Sequence, residues 1–188
     1  MPSGARVGAA PKRSVSMAAR RLLLGAVAGS LATVIMSAVM FATKRLGLMG
    51  EMPPEKITAH LLDRAGWRRR GRRSQDFVSA MTHMGFGTAA GAAFAFVERG
   101  PQPPIPFLPG GVAFGAAVWW VSYHGWVPGL GIMPPPGRDR PGRPQAMLIA
   151  HLVFGAVLGG ILQAVTSVEP APSSGRARLA RERLIEKL

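Results

Sequence analysis

The chain has 188 residues, of which 48% are hydrophobic and 17% charged, with 24 Gly and a formal net charge of +14. This balance is unusual for a soluble globular domain. The absence of cysteine excludes disulfides, thiolate metal sites and cysteine nucleophiles. Because Lys and Arg lie almost entirely outside the apolar runs, we interpret them as membrane flanks and predict no nucleic-acid partner.

Four apolar runs without acidic or basic residues divide the chain, over residues 22–43, 77–97, 107–133 and 146–168. Each run is long enough, at 1.5 Å per residue, to cross a hydrocarbon core of about 30 Å. The sequence therefore predicts an all-α, multi-pass membrane protein with four transmembrane helices.

The flanks of this transmembrane domain have a different composition. The domain itself should cover residues 20–168. Residues 1–19 are basic and lack an apolar face, which predicts a disordered N-terminus, with Met17 as an alternative start. Residues 169–188 form a charged tail, in which we expect a helix over residues 176–187.

An internal repeat is indicated by two matching motifs. The pattern H-x-x-F-G-x-x-x-G begins at His83 and again at His151, and a Gly-x-Met-Pro-Pro turn begins at Gly50 and again at Gly131. The repeat units then cover about residues 22–97 and 108–168. Because each unit holds two crossings, both units enter from the same side, which predicts two parallel helical hairpins related by an axis along the membrane normal.

Every apolar run also contains a G-x-x-x-G motif. In lipid, helices associate through close backbone approach at small residues. The glycines that we expect to pack helices are Gly25, Gly29, Gly87, Gly91, Gly111, Gly115, Gly155 and Gly159. If the hairpins are equivalent, Gly25 should superpose on Gly111 and His83 on His151. The alternative is that Gly is simply common in membrane helices.

A short amphipathic helix is predicted between the first two crossings, over residues 55–65. Its apolar face consists of Ile57, Leu61, Leu62 and Ala65. A basic run follows, and we interpret it as a clamp for anionic lipid headgroups at the membrane surface. The run contains Arg68, Arg69, Arg70, Arg72 and Arg73. The alternative is a solvated run of charges that merely flanks a crossing.

The familiar catalytic motifs are absent from the sequence, and no acidic residue lies inside the four runs. We therefore expect no enzymatic activity, no metal site and no resident cofactor, and a proton-coupled transporter is disfavoured. His83 and His151 lie at matching depth and could face each other as ligands of haem or a transition metal. The alternative that we favour is two interior, hydrogen-bonded, structural histidines.

The G-x-x-x-G opening with Ala32-Thr33 behind it, the Met52-Pro53-Pro54-Glu55 turn and the His83 and His151 helices resemble the YagU-like family of uncharacterised four-helix bacterial inner-membrane proteins. The resemblance covers about residues 20–168. It implies an integral protein of the bacterial inner (cytoplasmic) membrane, without established enzymatic activity and linked to acid tolerance.

These observations predict a structural or stress-related component of the membrane. Two alternatives stay open: a haem- or metal-binding module that uses His83 and His151, and a small oligomeric pore or exporter assembled through exposed G-x-x-x-G faces. A homo-oligomer is compatible with each of them. The orientation stays open too, because the two sides of the predicted membrane carry 11 and 12 Lys and Arg.

Overall fold

The structure, a computed structural model, describes residues 11–67, 71–98 and 106–168, and the regular elements in these ranges are helices. The long and medium helices are α1 (Pro11–Arg45), α2 (Pro53–Arg64), α3 (Arg72–Val97), α4 (Phe107–Trp120) and α5 (Arg143–Val168). A π-helical segment (Val121–Trp126), a short turn (Val127–Gly129) and a 3₁₀ turn (Pro136–Arg138) lie between α4 and α5. The all-α prediction is confirmed for this part of the chain.

The N-terminal boundary differs from the prediction. Helix α1 begins at Pro11, so residues 11–19 are helical where we expected disorder. Proline suits a first helical turn, and the Ala and Arg residues that follow have high helix propensity. Residues 1–10, the basic residues Arg68–Arg70 and the predicted helix over residues 176–187 lie outside the described residues.

Two helices are long and apolar enough to cross a membrane, namely α1 from Met17 to Arg45 and α5 from Arg143 to Ser167. By length and composition, two of the four predicted crossings are therefore supported. Helix α3 has 26 residues but holds more small and polar side chains, and α4 proper has 14 residues. A core helix of a soluble protein or a signal sequence can have the same length and composition, so this property alone does not place the chain in a membrane.

The helices pack as two antiparallel pairs, α1 with α3 and α4 with α5, and the pairs join where α1 contacts α5. At this junction small and flexible side chains are fully buried, such as Ala32 and Met40 of α1 and Ala150 and Leu158 of α5. Helices α3 and α4 lie further apart and are bridged by large rings: Phe94 meets Phe114 at a centroid distance of 5.2 Å. The bundle is therefore closed along α1 and α5 and looser between α3 and α4.

The third apolar run does not form one regular helix. After Trp120 the backbone adopts a π-helical turn and then kinks at Gly125, whose φ and ψ are −104° and −106°. Pro128 explains this break, because a proline ring clashes with the carbonyl group four residues earlier, here that of His124. The break ends α4 proper well before the end of the apolar run.

The repeated turn motif has a shared backbone geometry. Gly50 and Gly131 have φ values of +66° and +71°, a region that side chains other than glycine rarely adopt. Two residues later, Met52 and Met133 are both buried, at 6% and 4% exposure. The two turns thus place equivalent methionines against the bundle.

Candidate functional site

The looser side of the bundle holds a cavity of about 320 Å³. Its walls come from every helix and from the π-helical segment, and its lining is almost entirely apolar. The methionines among the lining residues are Met36, Met40, Met133 and Met147, and the aromatic ones are Phe86, Trp119, Tyr123, Trp126 and Phe154. Methionine side chains are flexible and polarizable, so such a lining can adapt to the shape of an apolar ligand.

His83 and His151 both line this cavity. His151 of α5 is buried, and its Nδ1 lies 2.8 Å from the carbonyl oxygen of Met147, one turn earlier on the same helix. His83 of α3 is half-buried, and its Nε2 is buried without a hydrogen-bond partner among the described residues. The structure therefore brings the two predicted histidines to one site but gives them different surroundings.

Two further polar groups of the cavity lining lack hydrogen-bond partners among the described residues. Thr58 of α2 is 3% exposed, and its hydroxyl group contacts no donor or acceptor in the described part of the chain. The same holds for the indole Nε1 of Trp119 on α4. A buried polar group without a hydrogen-bond partner destabilises the folded state. A ligand or water that hydrogen-bonds to these groups, or to the Nε2 of His83, would remove that cost.

A second, more polar cavity of about 920 Å³ adjoins the first, and the two share Pro54, Thr58 and His83 in their linings. In this polar vestibule, Lys44 pairs with Glu55 and Lys56 with Glu51, each pair at 3.3 Å. The first pair links the last turn of α1 to the first turn of α2. Thr58 and His83 thus stand at the boundary between an apolar interior and a charged rim.

The predicted packing glycines of the first hairpin lie between α1 and α3. A Cβ atom added to Gly25 would lie 2.5 Å from the carbonyl oxygen of Gly91, and one added to Gly29 would meet the carbonyl oxygen of Gly87 and lie 2.9 Å from the Cα of Gly91. The nearest atoms to a Cβ on Gly87 belong to Thr33. These helices approach so closely that their contact is largely backbone against backbone.

The second hairpin has the same kind of contact between α4 and α5. A Cβ atom on Gly111 would meet the carbonyl oxygen of Gly155 and lie 2.9 Å from the Cα of Gly159. One on Gly115 would meet the carbonyl oxygen of His151 and lie 3.2 Å from the Cα of Gly155. Each of the eight glycines predicted from the sequence therefore lies against a neighbouring helix.

The register between the hairpins differs from the expected one. A Cβ atom on Gly111 meets the carbonyl oxygen of the first glycine and the Cα of the second glycine of the motif on α5. A Cβ atom on Gly29 meets the same two atoms of the motif on α3. Gly29, and not Gly25, is therefore the counterpart of Gly111. The expected alignment is thus displaced by four residues. Residues four apart lie on one face of a helix, so two G-x-x-x-G motifs can be matched in either of two registers one turn apart.

A buried polar network that the sequence analysis missed lies beside the cavity. Asp139 and Arg143 form an ion pair at 2.8 Å, with their side chains 2% and 8% exposed. Tyr123 donates its hydroxyl hydrogen to Asp139, and the Nε of Arg143 donates to the carbonyl oxygen of Met49 at 2.7 Å. The network ties the π-helical segment and the α4–α5 loop to the α1–α2 loop. In the sequence, Asp139 and Arg143 lie in the link between the third and fourth apolar runs, and Tyr123 lies within the third run.

Comparison with known proteins gives one match. Residues 19–173 match the family of unknown function DUF6789. The chain belongs to this family. Among curated proteins and among solved structures, no match was found. Nothing in the DUF6789 match confirms the resemblance to the YagU-like proteins, so that assignment stays a prediction.

In this DUF6789 chain, the candidate ligands of a metal or haem are His83 and His151, which both line the cavity. No group of three or more His, Asp or Glu side chains that could hold a metal ion occurs within the described ranges. His83 and His151 alone would leave a transition metal under-coordinated by protein ligands.

Of the predicted headgroup clamp, Arg73 is exposed at the start of α3.

Proposed function

We propose that this chain is an integral, multi-pass protein of the bacterial inner membrane, in which α1, α3, α4 with its π-helical extension, and α5 all cross the bilayer. The observation that carries the proposal is the apolar outer surface of the bundle. On α1 alone, Leu23, Val27 and Val34 are 68%, 58% and 52% exposed. A soluble monomer rarely exposes so extended an apolar surface, whereas lipid solvates it without cost.

The degree of burial argues in the same direction. In the most apolar stretches of α1 and α5, 33% and 39% of the residues are buried. A core helix of a soluble protein would be mostly buried, so these two helices need another apolar surrounding.

Helices α3 and α4 are assigned to the membrane because of their packing. Helix α3 lies along α1, and α4 lies along α5, through the glycine contacts described above. Both also expose large apolar side chains on their outer faces, such as Phe77 and Phe96 of α3 and Leu108 and Trp120 of α4. A helix packed side by side with a membrane helix, and apolar on its other face, shares the same surroundings.

Within the membrane we assign the chain a structural role and no enzymatic activity. The equivalent contacts of Gly29 and Gly111 support two parallel hairpins derived from one ancestral unit. Anionic headgroups are the proposed partners of the basic run Arg68–Arg73. The stress-related role and the acid tolerance implied by the YagU-like resemblance remain predictions.

The number of crossings can be tested by cysteine labelling, since the chain has no native cysteine. Single substitutions Leu46→Cys, Val97→Cys and Gly137→Cys place thiols just after α1, at the last residue of α3 and before α5. Four crossings predict that a membrane-impermeant maleimide labels Val97→Cys from the opposite side to the other two variants. If only α1 and α5 cross, all three thiols react from one side, which would contradict the proposal. Release of the wild-type chain by alkaline carbonate would contradict its membrane integration.

A second candidate function is a haem- or metal-binding module. It is favoured by the presence of His83 and His151 in one cavity and by the unpartnered Nε2 of His83. The absorption spectrum and the metal content of the purified protein test it. A Soret band that is lost in both His83→Ala and His151→Ala would establish this function. Purified protein that contains no metal and has no visible absorption band would refute it.

A further inference from the structure

We propose that the cavity between α3 and α4 binds one membrane lipid that has an uncharged, oxygen-containing head and a single hydrocarbon chain. The head would lie at the boundary formed by Thr58 and His83, and the chain would fill the methionine-lined interior. This inference rests on the proposed membrane location and adds a ligand to it.

The size and lining of the cavity determine what kind of ligand fits. About 320 Å³ lies within the range of cavities that hold small organic ligands. Among the described residues that line it, none is Lys, Arg, Asp or Glu. A charged group inside it would lose its hydration without gaining a counter-ion, so the part of the ligand in this space must be apolar.

The head of the ligand is indicated by three polar groups that have no hydrogen-bond partner among the described residues. The Oγ1 of Thr58, the Nε2 of His83 and the Nε1 of Trp119 are buried polar atoms that belong to lining residues. The indole nitrogen can only donate, and the hydroxyl and imidazole groups can do so as well. A carbonyl or hydroxyl oxygen accepts hydrogen bonds from such donors, which a plain hydrocarbon cannot do.

The charges around the mouth argue against an anionic head. The vestibule is lined by Lys44 and Lys56, and each is already paired with a glutamate. Asp76 also lines it and adds a negative charge. The charges of the described residues at the mouth are therefore balanced or negative, which disfavours a carboxylate or phosphate head and does not disfavour an uncharged one.

Helix α2 positions the mouth. It begins at Pro53, and its Met52 N–H donates to the carboxylate of Glu55 at 3.4 Å, which fixes the first turn. Ile57, Thr58 and Leu61 of this helix line the cavity. An interfacial helix at this place would let a lipid enter from the bilayer with its head held at the depth of Thr58.

The test is a lipid titration of the detergent-purified full chain, read by native mass spectrometry. The probes are monoolein and oleate, which share one chain and differ in head charge. We expect one monoolein per chain and an affinity for oleate at pH 8 that is at least about tenfold lower. Equal or tighter binding of oleate, or no saturable binding of monoolein, would overturn the proposal.

Two variants locate the ligand. Thr58→Val keeps the side-chain shape and removes the hydroxyl group, and loss of one hydrogen bond should weaken monoolein binding about two- to tenfold. Ser122→Leu fills the cavity from the π-helical segment and should abolish binding. The matched control is Thr166→Val, at an exposed threonine near the end of α5 that is not part of the lining. Thermal unfolding confirms that each variant is folded.

Wild-type affinity for monoolein in both folded variants would overturn the proposal, since the lipid would then bind outside the cavity. The outcome of the lipid titration can be distinguished from the outcome of the membrane-location experiments. A chain that resists carbonate extraction but binds no monoolein contradicts only the lipid site, whereas a chain released by carbonate contradicts the membrane location itself.

Discussion

The strongest test of the glycine contacts compares two adjacent residues of α5. A Cβ atom on Gly159 would meet the carbonyl oxygen of Phe107 and lie 2.8 Å from its carbonyl carbon and 3.0 Å from the Cα of Leu108. A Cβ atom on Gly160 would meet no atom of the described residues within 4 Å. Gly159→Ala must therefore push α5 away from the start of α4, whereas Gly160→Ala points into open space.

The magnitude follows from these distances. Restoring an ordinary contact with the carbonyl carbon of Phe107 needs a separation of roughly 0.6 Å, and the nearer carbonyl oxygen needs a larger one. A gap of this size forfeits at least a quarter to a half of the dispersion energy of the atoms that it separates. Overpacking of this kind costs about 1–3 kcal/mol. The gain in helix propensity from Gly to Ala, up to about 1 kcal/mol, is common to both variants and cancels in their difference. We therefore expect Gly159→Ala to be about 1–3 kcal/mol less stable than Gly160→Ala.

The assay is thermal unfolding in detergent, followed by circular dichroism. For a chain of this size, about 1 kcal/mol shifts Tm by roughly 2–4 °C, so the variants should differ by about 2–12 °C. Gly85→Ala, at another helical position where a Cβ meets no atom of the described part of the chain, serves as a second control and should behave like Gly160→Ala. Equal Tm values for the Gly159 and Gly160 variants would refute the idea that backbone contact at glycine holds α4 against α5.

Two further predictions concern contacts between elements. Arg143→Met leaves the side chain of Asp139 buried without its cationic partner and should destabilise the fold by about 3–5 kcal/mol in the same assay. Arg138→Met, at an exposed position, should have almost no effect. Equal Tm values for the two variants would contradict a structural role for the ion pair. Ser30 and Thr88 place their hydroxyl oxygens 2.7 Å apart between α1 and α3, so the double variant Ser30→Cys/Thr88→Cys should form a disulfide on mild oxidation, seen as a mobility shift that reductant reverses. Failure to cross-link would contradict the register of this helix pair.

Much of the architecture can be predicted from the sequence, because apolar runs and caps act locally. The short helix α2 lies where Pro54 and Gly66 indicated, with its bounds shifted by one or two residues. The glycine motifs indicated which faces come together, since only a residue without a side chain permits such an approach. What these motifs could not indicate was the register, because the contact faces repeat every turn.

The features that escaped prediction depend on residues far apart in the chain. The acceptor of the Arg143 Nε–H is the backbone carbonyl of Met49, 94 residues away, and no local pattern reveals such a pair. The unpartnered hydroxyl of Thr58 has the same character, since a threonine on a short amphipathic helix is usually solvated. The length of α4 was misjudged for a local reason: Pro128 was read as part of an apolar run, not as the cause of a helix break.

The same glycines that close each hairpin also explain why the cavity exists. They act within the pairs α1–α3 and α4–α5, and the two pairs meet through small side chains where α1 contacts α5. Between α3 and α4 no glycine pair is in contact among the described residues, and the contacting rings of Phe94 and Phe114 separate these helices. Tight packing and an open site therefore have little overlap in their residues. Gly87 is the one packing glycine among the described lining residues, and its contact is with Thr33, which also lines the cavity. A ligand could enter between α3 and α4 without parting either hairpin.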